Sequence, residues 1–146
     1  MEPWSLSEDL HGSSKVTDAW RWISPHLAQS WHARLIERFG GASGIRDIGL
    51  LESALARPPN LVAYGEVVTT EKLAALYGVG VAKAHAFVDG NKRIAFAVMV
   101  SFLKAHGRNL DATEEEAANI MSQVAASEMT EQEIEHWLVA RCRDGG

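Results

Sequence analysis

One stretch of this 146-residue chain gathers the side chains best suited to chemistry: His85, Asp89, Gly90, Asn91, Lys92 and Arg93. An imidazole with a reference pKa near ~6.5 suits a general base. A carboxylate four residues further on is a hard oxygen donor of the kind magnesium takes. Lys92 and Arg93 open an apolar segment that reads as a helix, and cations there oppose the helix dipole by a few tenths of a kcal/mol or more. Their placement makes sense when a polyanion neutralises them, since the unpaired N–H groups of a first helical turn also favour an anion. Gly90 lets the backbone approach that anion without a Cβ. Phosphate is the obvious anion. Phosphoryl transfer needs positioning, neutralisation by metal and cations, and one group to accept the proton of the attacking hydroxyl, a task open to His85. The glycine spacing matches neither G-x-x-x-x-G-K-[ST] nor G-x-G-x-x-G, so neither a P-loop nor a dinucleotide-binding fold is implied.

These residues need elements to position them. Ser24-Pro25 supplies an N-cap and a proline at the first helical position, and Leu27, Trp31, Leu35, Ile36 and Phe39 recur at helical spacing up to Gly40-Gly41. Asp47 caps a second helix with Ile48, Leu51 and Leu55 on one face, which Pro58-Pro59 is expected to stop. Leu61, Val62, Tyr64, Val67 and Val68 surround Gly65 in a β-prone pattern, so a small hairpin is expected between Asn60 and Thr70. Its edge would dock an extended target peptide through main-chain hydrogen bonds. Thr70-Glu71 opens a third helix, in which Gly78 and Gly80 predict the close approach of another backbone. From Asn91 to His106 the sequence is apolar almost all round, which predicts a helix through the core with Gly107 at its end. Thr113 and Thr130 head two final helices, the second with Glu133 placed for a capping box. The expected architecture is all-α, a helical bundle with one small β-hairpin, and the reactive stretch is the loop between the third helix and the buried one.

Composition removes several function classes. At this length one domain is expected. A net charge of -5 argues against direct DNA binding, which needs a dense Lys/Arg face. The single cysteine, Cys142, forms no intrachain disulfide and gives no paired-thiolate zinc site. Glu2, Glu8, Asp9 and Asp18 sit where a secretory signal would be apolar. The apolar run Ile94 to Leu103 falls well short of the ~20 residues that span a bilayer. A soluble, cytoplasmic protein without membrane contact is expected.

The segment His85-Ala86-Phe87-Val88-Asp89-Gly90-Asn91-Lys92-Arg93 resembles the signature H-x-F-x-[DN]-[AG]-N-K-R of death-on-curing (Doc) toxins, a branch of the Fic fold. The resemblance runs from about Ile23 to about Arg141 and includes Phe39-Gly40-Gly41, Gly44-Ile45-Arg46-Asp47 and Leu51-Glu52-Ser53-Ala54-Leu55. It divides the chain into an N-terminal arm, 1–21, outside the likeness and a Fic/Doc domain, 22–146. Typical Fic enzymes transfer AMP and carry H-x-F-x-[DE]-G-N-G-R-x-x-R, whereas Lys92 here replaces the second glycine and Phe96 the last arginine. Both departures are Doc-like. The resemblance therefore implies a toxin of a toxin-antitoxin system, a protein kinase that moves the γ-phosphate of ATP to a threonine of elongation factor Tu and so arrests translation.

On matching positions the resemblance implies that His85 is the base toward the target hydroxyl and that Asp89 holds Mg2+. Gly90, Asn91, Lys92 and Arg93 would bind the ATP phosphates, with Lys92 and Arg93 also counted with His85 and Asp89 as catalytic. Phe87 resembles the family's buried aromatic anchor. Self-restrained Fic enzymes resemble one another in an inhibitory [S/T]-x-x-x-E-[GN] helix; no full match to it occurs here, so a cognate antitoxin is implied as the restraint, seated near the helix at Ser24 to Phe39. The rivals are a Fic-type AMP transferase, disfavoured by Lys92 and Phe96, an inactive Fic-fold binding module, and a helical DNA-binding regulator. His26, His32, His106 and His136 read as structural or surface residues. The tryptophans Trp4, Trp20, Trp22 and Trp31 read as a local core cluster, with an exposed partner site as the alternative.

Overall fold

The computed structural model describes residues 20–145. Six helices and one small sheet follow in the order α1 (Pro25–Phe39), α2 (Ile48–Ala63), α3 (Thr70–Ala84), α4 (Asn91–Ala105), β1 (Arg108–Leu110), α5 (Glu114–Ala125), α6 (Glu131–Arg141) and β2 (Cys142–Asp144). The all-α architecture with one two-stranded antiparallel sheet is the one expected, but the sheet lies elsewhere. It joins β1 to β2, with Asn109 opposite Arg143. Arg108 ties it to the start of α3 through Glu71, whose carboxylate is 2.7 Å from the Arg108 Nε.

The expected hairpin from Leu61 to Val68 is absent, and Pro58-Pro59 does not end α2. Both prolines lie inside the helix, with Pro58 buried, and α2 continues to Ala63. Leu61 and Val62 pack from its last turn against the core. Gly65, at φ 85°, is the left-handed residue that closes the helix. Its N–H donates to the Val62 carbonyl at 2.9 Å and the Glu66 N–H to the Leu61 carbonyl at 3.4 Å, the paired bonds of a Schellman cap. The signal read as a hairpin turn is thus a helix terminus. A two-stranded ribbon of this length would be marginal alone, whereas the partial burial of Leu61 and Val62 favours the longer helix despite the lost proline donors.

α4 runs through the centre, and every residue from Ile94 to Leu103 is buried. α3 packs along it. A Cβ on Gly78 would come 2.7 Å from the Met99 sulfur, so a side chain of α4 fills that space. At Gly80 the neighbour is the α2 backbone, with the Ala54 carbonyl oxygen 3.6 Å from such a Cβ, and there the expected close backbone approach is found. α5 and α6 both begin in full capping boxes, Thr113 with Glu116 and Thr130 with Glu133. They are joined by Arg141, whose two terminal nitrogens reach both Glu116 carboxylate oxygens. That fork, with the N–H of Thr113, holds the Glu116 carboxyl down to about 2.

Before α1 the chain is pinned to the α4 end of the core. Trp20 and Trp22 each stack on Phe102 with centroids 6.1 Å apart, and Trp31 is fully buried. The Ile23 N–H donates to the Tyr77 hydroxyl at 3.0 Å, and burial pushes the Tyr77 phenol up to about 12. These tryptophans pack on or within the core; Trp4 and most of the 1–21 arm lie outside the described residues. No helix among the described residues is long and apolar enough to cross a membrane.

Candidate active site

The loop from His85 to Gly90 joins the end of α3 to the start of α4. His85 caps α3 in the left-handed region, at φ 48° and ψ 44°. That backbone is uncommon outside glycine and costs on the order of 1–3 kcal/mol unless its surroundings hold it. Here a second loop, 40–47, does so. The Arg46 guanidinium donates to the His85 carbonyl. The Arg46 and Asp47 N–H groups both donate to the Ala86 carbonyl, at 2.6 and 3.0 Å, and the Val88 N–H donates to the Gly44 carbonyl at 3.0 Å. An isolated antiparallel bridge pairs Ile45 with Phe87. His85 itself projects as an exposed side chain.

The middle of the loop is anchored by Phe87, 2 % exposed. Its ring stacks on His32 of α1 with centroids 3.9 Å apart. The Asn91 amide grips the Phe87 backbone twice, accepting from its N–H and donating to its carbonyl, both at 3.0 Å. Asn91 was expected to bind phosphate. Its carboxamide oxygen is committed to the loop, so its own backbone N–H and its second amide hydrogen are what it has to offer an anion.

Asp89 points both carboxylate oxygens at backbone donors, Oδ2 to the Ala42 N–H at 3.1 Å and Oδ1 to the Gly90 N–H at 2.8 Å. Those bonds, Ala42 first, hold its carboxyl below the usual range, with Arg93 and His32 adding favourable charge. The group stays ionised, and each oxygen keeps a lone pair for another partner. Gly90 sits at the N-cap of α4 at φ 74° and caps no N–H with a side chain, so the first-turn donors of α4 point outward unspent. Lys92 Nζ reaches the Ser122 hydroxyl of α5 at 3.4 Å. The Arg93 guanidinium lies 4.7 Å from the Phe39 ring centroid, a cation–π contact that turns it toward the same opening.

These residues meet in one cleft of about 820 Å³. His85, Asp89, Gly90, Asn91, Lys92 and Arg93 line one wall, and Ala118, Met121, Ser122 and Ala125 of α5 line the other. The expected base, carboxylate and cations are therefore brought together around the α4 N-terminus, beside a wall that is mainly apolar but also presents Ser122 and Glu114. The five residues expected to dock a target, Leu61, Val62, Tyr64, Val67 and Val68, do not line this cleft. Leu61, Val62 and Val68 are partly buried against the core, while Tyr64 and Val67 stand 85 % and 96 % exposed on an irregular loop. Val67 belongs to no strand, so the main-chain docking expected of a hairpin edge has no strand to work from. α1, near which an antitoxin was expected to seat, turns Ala28, Trp31 and Leu35 into the core and leaves Phe39 exposed at its end.

Sequence reading missed the residues that hold the loop. Arg46 and Gly41 lie in a stretch whose likeness to the family was visible but whose role was not. His32 read as structural; it is 3 % exposed and donates from Nε2 to the Asp89 carbonyl at 2.7 Å, which places it directly behind the reactive loop. Its position beside Ala28, Trp31 and Leu35 on the buried face of α1 was the available signal. A partial match to the inhibitory pattern, Ser127 with Glu131, continues with Gln132, and Glu131 is paired 2.5 Å from Arg57 of α2.

Comparison with known proteins agrees with this geometry. "Protein kinase doc" of Escherichia phage P1 is 37% identical over 87 residues, covering 60% of this chain and 69% of that protein. "Toxin Doc" of Mycolicibacterium smegmatis (strain ATCC 700084 / mc(2)155) is 42% identical over 93 residues, again 60% of this chain and 69% of the relative. The model of the Fic/DOC family matches residues 22–103, which takes in α1 through nearly all of α4 and the whole reactive loop, and the chain belongs to that family.

Proposed function

We propose that this chain is the toxin of a toxin-antitoxin pair, a protein kinase that moves the γ-phosphate of ATP to a threonine of a translation factor, elongation factor Tu by family likeness. The observation that carries the reading is Lys92 at the open N-terminus of α4, in the cleft that also holds His85, Asp89 and Arg93. A lysine there places a cation where AMP-transferring members of the fold have glycine, and so favours a different seating of the phosphates. The names of the two relatives, one a protein kinase and one a toxin, support the same choice.

In this reading the α4 N–H groups, Lys92 and Arg93 hold the phosphate chain, and the apolar α5 wall keeps water from its flank. The target hydroxyl gives its proton to an imidazole nitrogen of His85 as its oxygen bonds to the γ-phosphorus. The bond from that phosphorus to the β–γ bridging oxygen breaks, and ADP leaves. Asp89 fits magnesium as a single carboxylate ligand. Among the described residues no cluster of three or more His, Cys, Asp or Glu side chains could hold a metal alone, and Mg2+ characteristically combines one or two carboxylates with substrate phosphates and water. When bound, the ion supplies charge neutralisation on those phosphate oxygens. Target docking falls to the exposed Tyr64 and Val67 side chains, and restraint to a separately encoded antitoxin.

Incubation of the protein with a bacterial extract and ATP labelled at either the α or the γ phosphate tests the reading. Label from the γ position on an extract protein supports it. Label from the α position means AMP transfer, and no label from either means a binding module.

A further inference from the structure

Besides the backbone bonds from loop 40–47, two side chains from outside the motif hold the reactive loop by its carbonyl groups, one at each end. At its start the Arg46 guanidinium, on the exposed loop 40–47, donates to the carbonyl of His85. At its end the buried His32 donates from Nε2 to the carbonyl of Asp89 at 2.7 Å. His32 is also packed against Gly90, since a Cβ there would lie 3.5 Å from the His32 Nε2 and 3.3 Å from the Ile36 Cδ1. The carbonyl acceptor requires that the His32 proton sit on Nε2.

We infer that Arg46 and His32 are positioning residues that divide the work of this loop: Arg46 fixes the aim of the base, and His32 fixes the phosphate-binding turn at Gly90. The inference rests on the proposed transfer reaction. Its logic is geometric. Arg46 reaches the backbone of the residue that carries the imidazole, where the left-handed conformation decides which way the ring projects. That contact touches neither Gly90 nor the α4 N-terminus, so losing it misaims proton transfer and leaves the phosphate donors in place. His32 contacts Phe87, Asp89 and Gly90, the residues just before the open N–H groups of α4. Losing its donor frees the Asp89 carbonyl and lets the turn at Gly90 relax, and the anion then meets donors no longer arranged for it.

The two roles predict opposite splits between rate and affinity. Arg46→Ala, an exposed change, should melt within a few degrees of the unaltered protein and bind ATP with Mg2+ in titration calorimetry within about twofold, while transfer at saturating ATP falls about tenfold or more. Arg46→Lys keeps a cationic donor and should recover part of that rate. His32→Phe keeps the stack on Phe87 and removes the donor; its ATP dissociation constant should rise about tenfold, and His32→Gln, which returns an Nε2–H, should recover part of it. Should His32→Phe not fold, His32→Asn, whose amide is too short to reach the Asp89 carbonyl, takes its place against His32→Gln. An Arg46→Ala protein with unchanged transfer, or with affinity lost as much as rate, overturns the division. So does a donor-less His32 variant with unchanged ATP affinity, or one that His32→Gln does not improve. An unaltered protein that binds ATP and transfers nothing overturns the proposed reaction and the Arg46 half with it, while the affinity measurement still decides His32.

Discussion

Two loops of this molecule contrast in how they are held. The α3–α4 loop, His85 to Gly90, is short and is fastened at nearly every residue to segments far away in sequence: Arg46 at His85, the backbone of Arg46 and Asp47 at Ala86, His32 at Phe87 and Asp89, and Ala42 at the Asp89 carboxylate. The α2–α3 loop, from Tyr64 to Thr69, is closed by a helix cap at Gly65 and carries Tyr64 and Val67 almost fully exposed. A group that must meet a reacting atom is worth most when its ordering is supplied by the fold in advance. A surface that meets another protein can adapt on contact, and it needs accessible apolar and aromatic area more than fixed geometry. The fastened loop is suited to the first task, and the exposed Tyr64 and Val67 of the other are the kind of side chains the second uses.

That contrast breaks first at His85, the proposed base. His85→Ala should fold and bind ATP yet transfer about 100-fold to 10,000-fold more slowly. Single-turnover transfer measured alongside ATP titration checks both halves, and retention of full rate would remove the reactive loop from the chemistry. Next comes the fastening itself. Gly41 stands at φ 113°, and a Cβ there would lie 2.8 Å from the Asp89 Oδ2. Gly41→Ala should therefore displace that carboxylate and weaken binding of ATP with Mg2+ roughly tenfold, more than it weakens binding of ATP without metal, as calorimetry with and without the ion would show.

The loose loop should behave differently. Tyr64→Ala combined with Val67→Asp should leave ATP affinity and melting temperature nearly unchanged and slow modification of the protein target roughly fivefold, on the scale of about 1 kcal/mol for an interface aromatic. A fall in ATP affinity instead would place that loop in the nucleotide site. The smallest effect concerns neither loop but the tie between α5 and α6. Glu116 falls from its ordinary 4.5 to about 2 through its bond to Arg141, so its contribution to stability is complete above pH 4.5 and is lost as pH falls toward 2. Melting temperature followed from pH 5 to pH 2 should drop less in Glu116→Gln than in the unaltered protein, because the mutant lacks the titration.

The two loops also differ in how far they could be read from sequence. That His85, Asp89, Gly90, Lys92 and Arg93 share one cleft was legible because the loop that carries them leads straight into a helix whose Ile94–Leu103 segment had to be buried. Helix starts were equally legible at Ser24, Asp47, Thr113 and Thr130, where the cap side chains each accept the expected backbone bond. The α2–α3 loop was misread because Gly65 among β-branched residues serves a hairpin turn and a helix C-terminus alike, and only the burial of Leu61 and Val62 decides between them. The fastening of the reactive loop was hidden for another reason. His32 and Asp89 are 57 positions apart and Arg46 and His85 are 39 apart, distances over which no local periodicity carries information.

The central claim is that the cation at the α4 N-terminus makes this cleft a γ-phosphate site. Transfer from ATP labelled at the α or the γ position, measured side by side for the unaltered protein and for Lys92→Gly, tests it most directly. The account predicts γ label alone from the unaltered protein and loss of that label in Lys92→Gly, with any residual transfer shifting to the α label. Undiminished γ transfer by Lys92→Gly would contradict it.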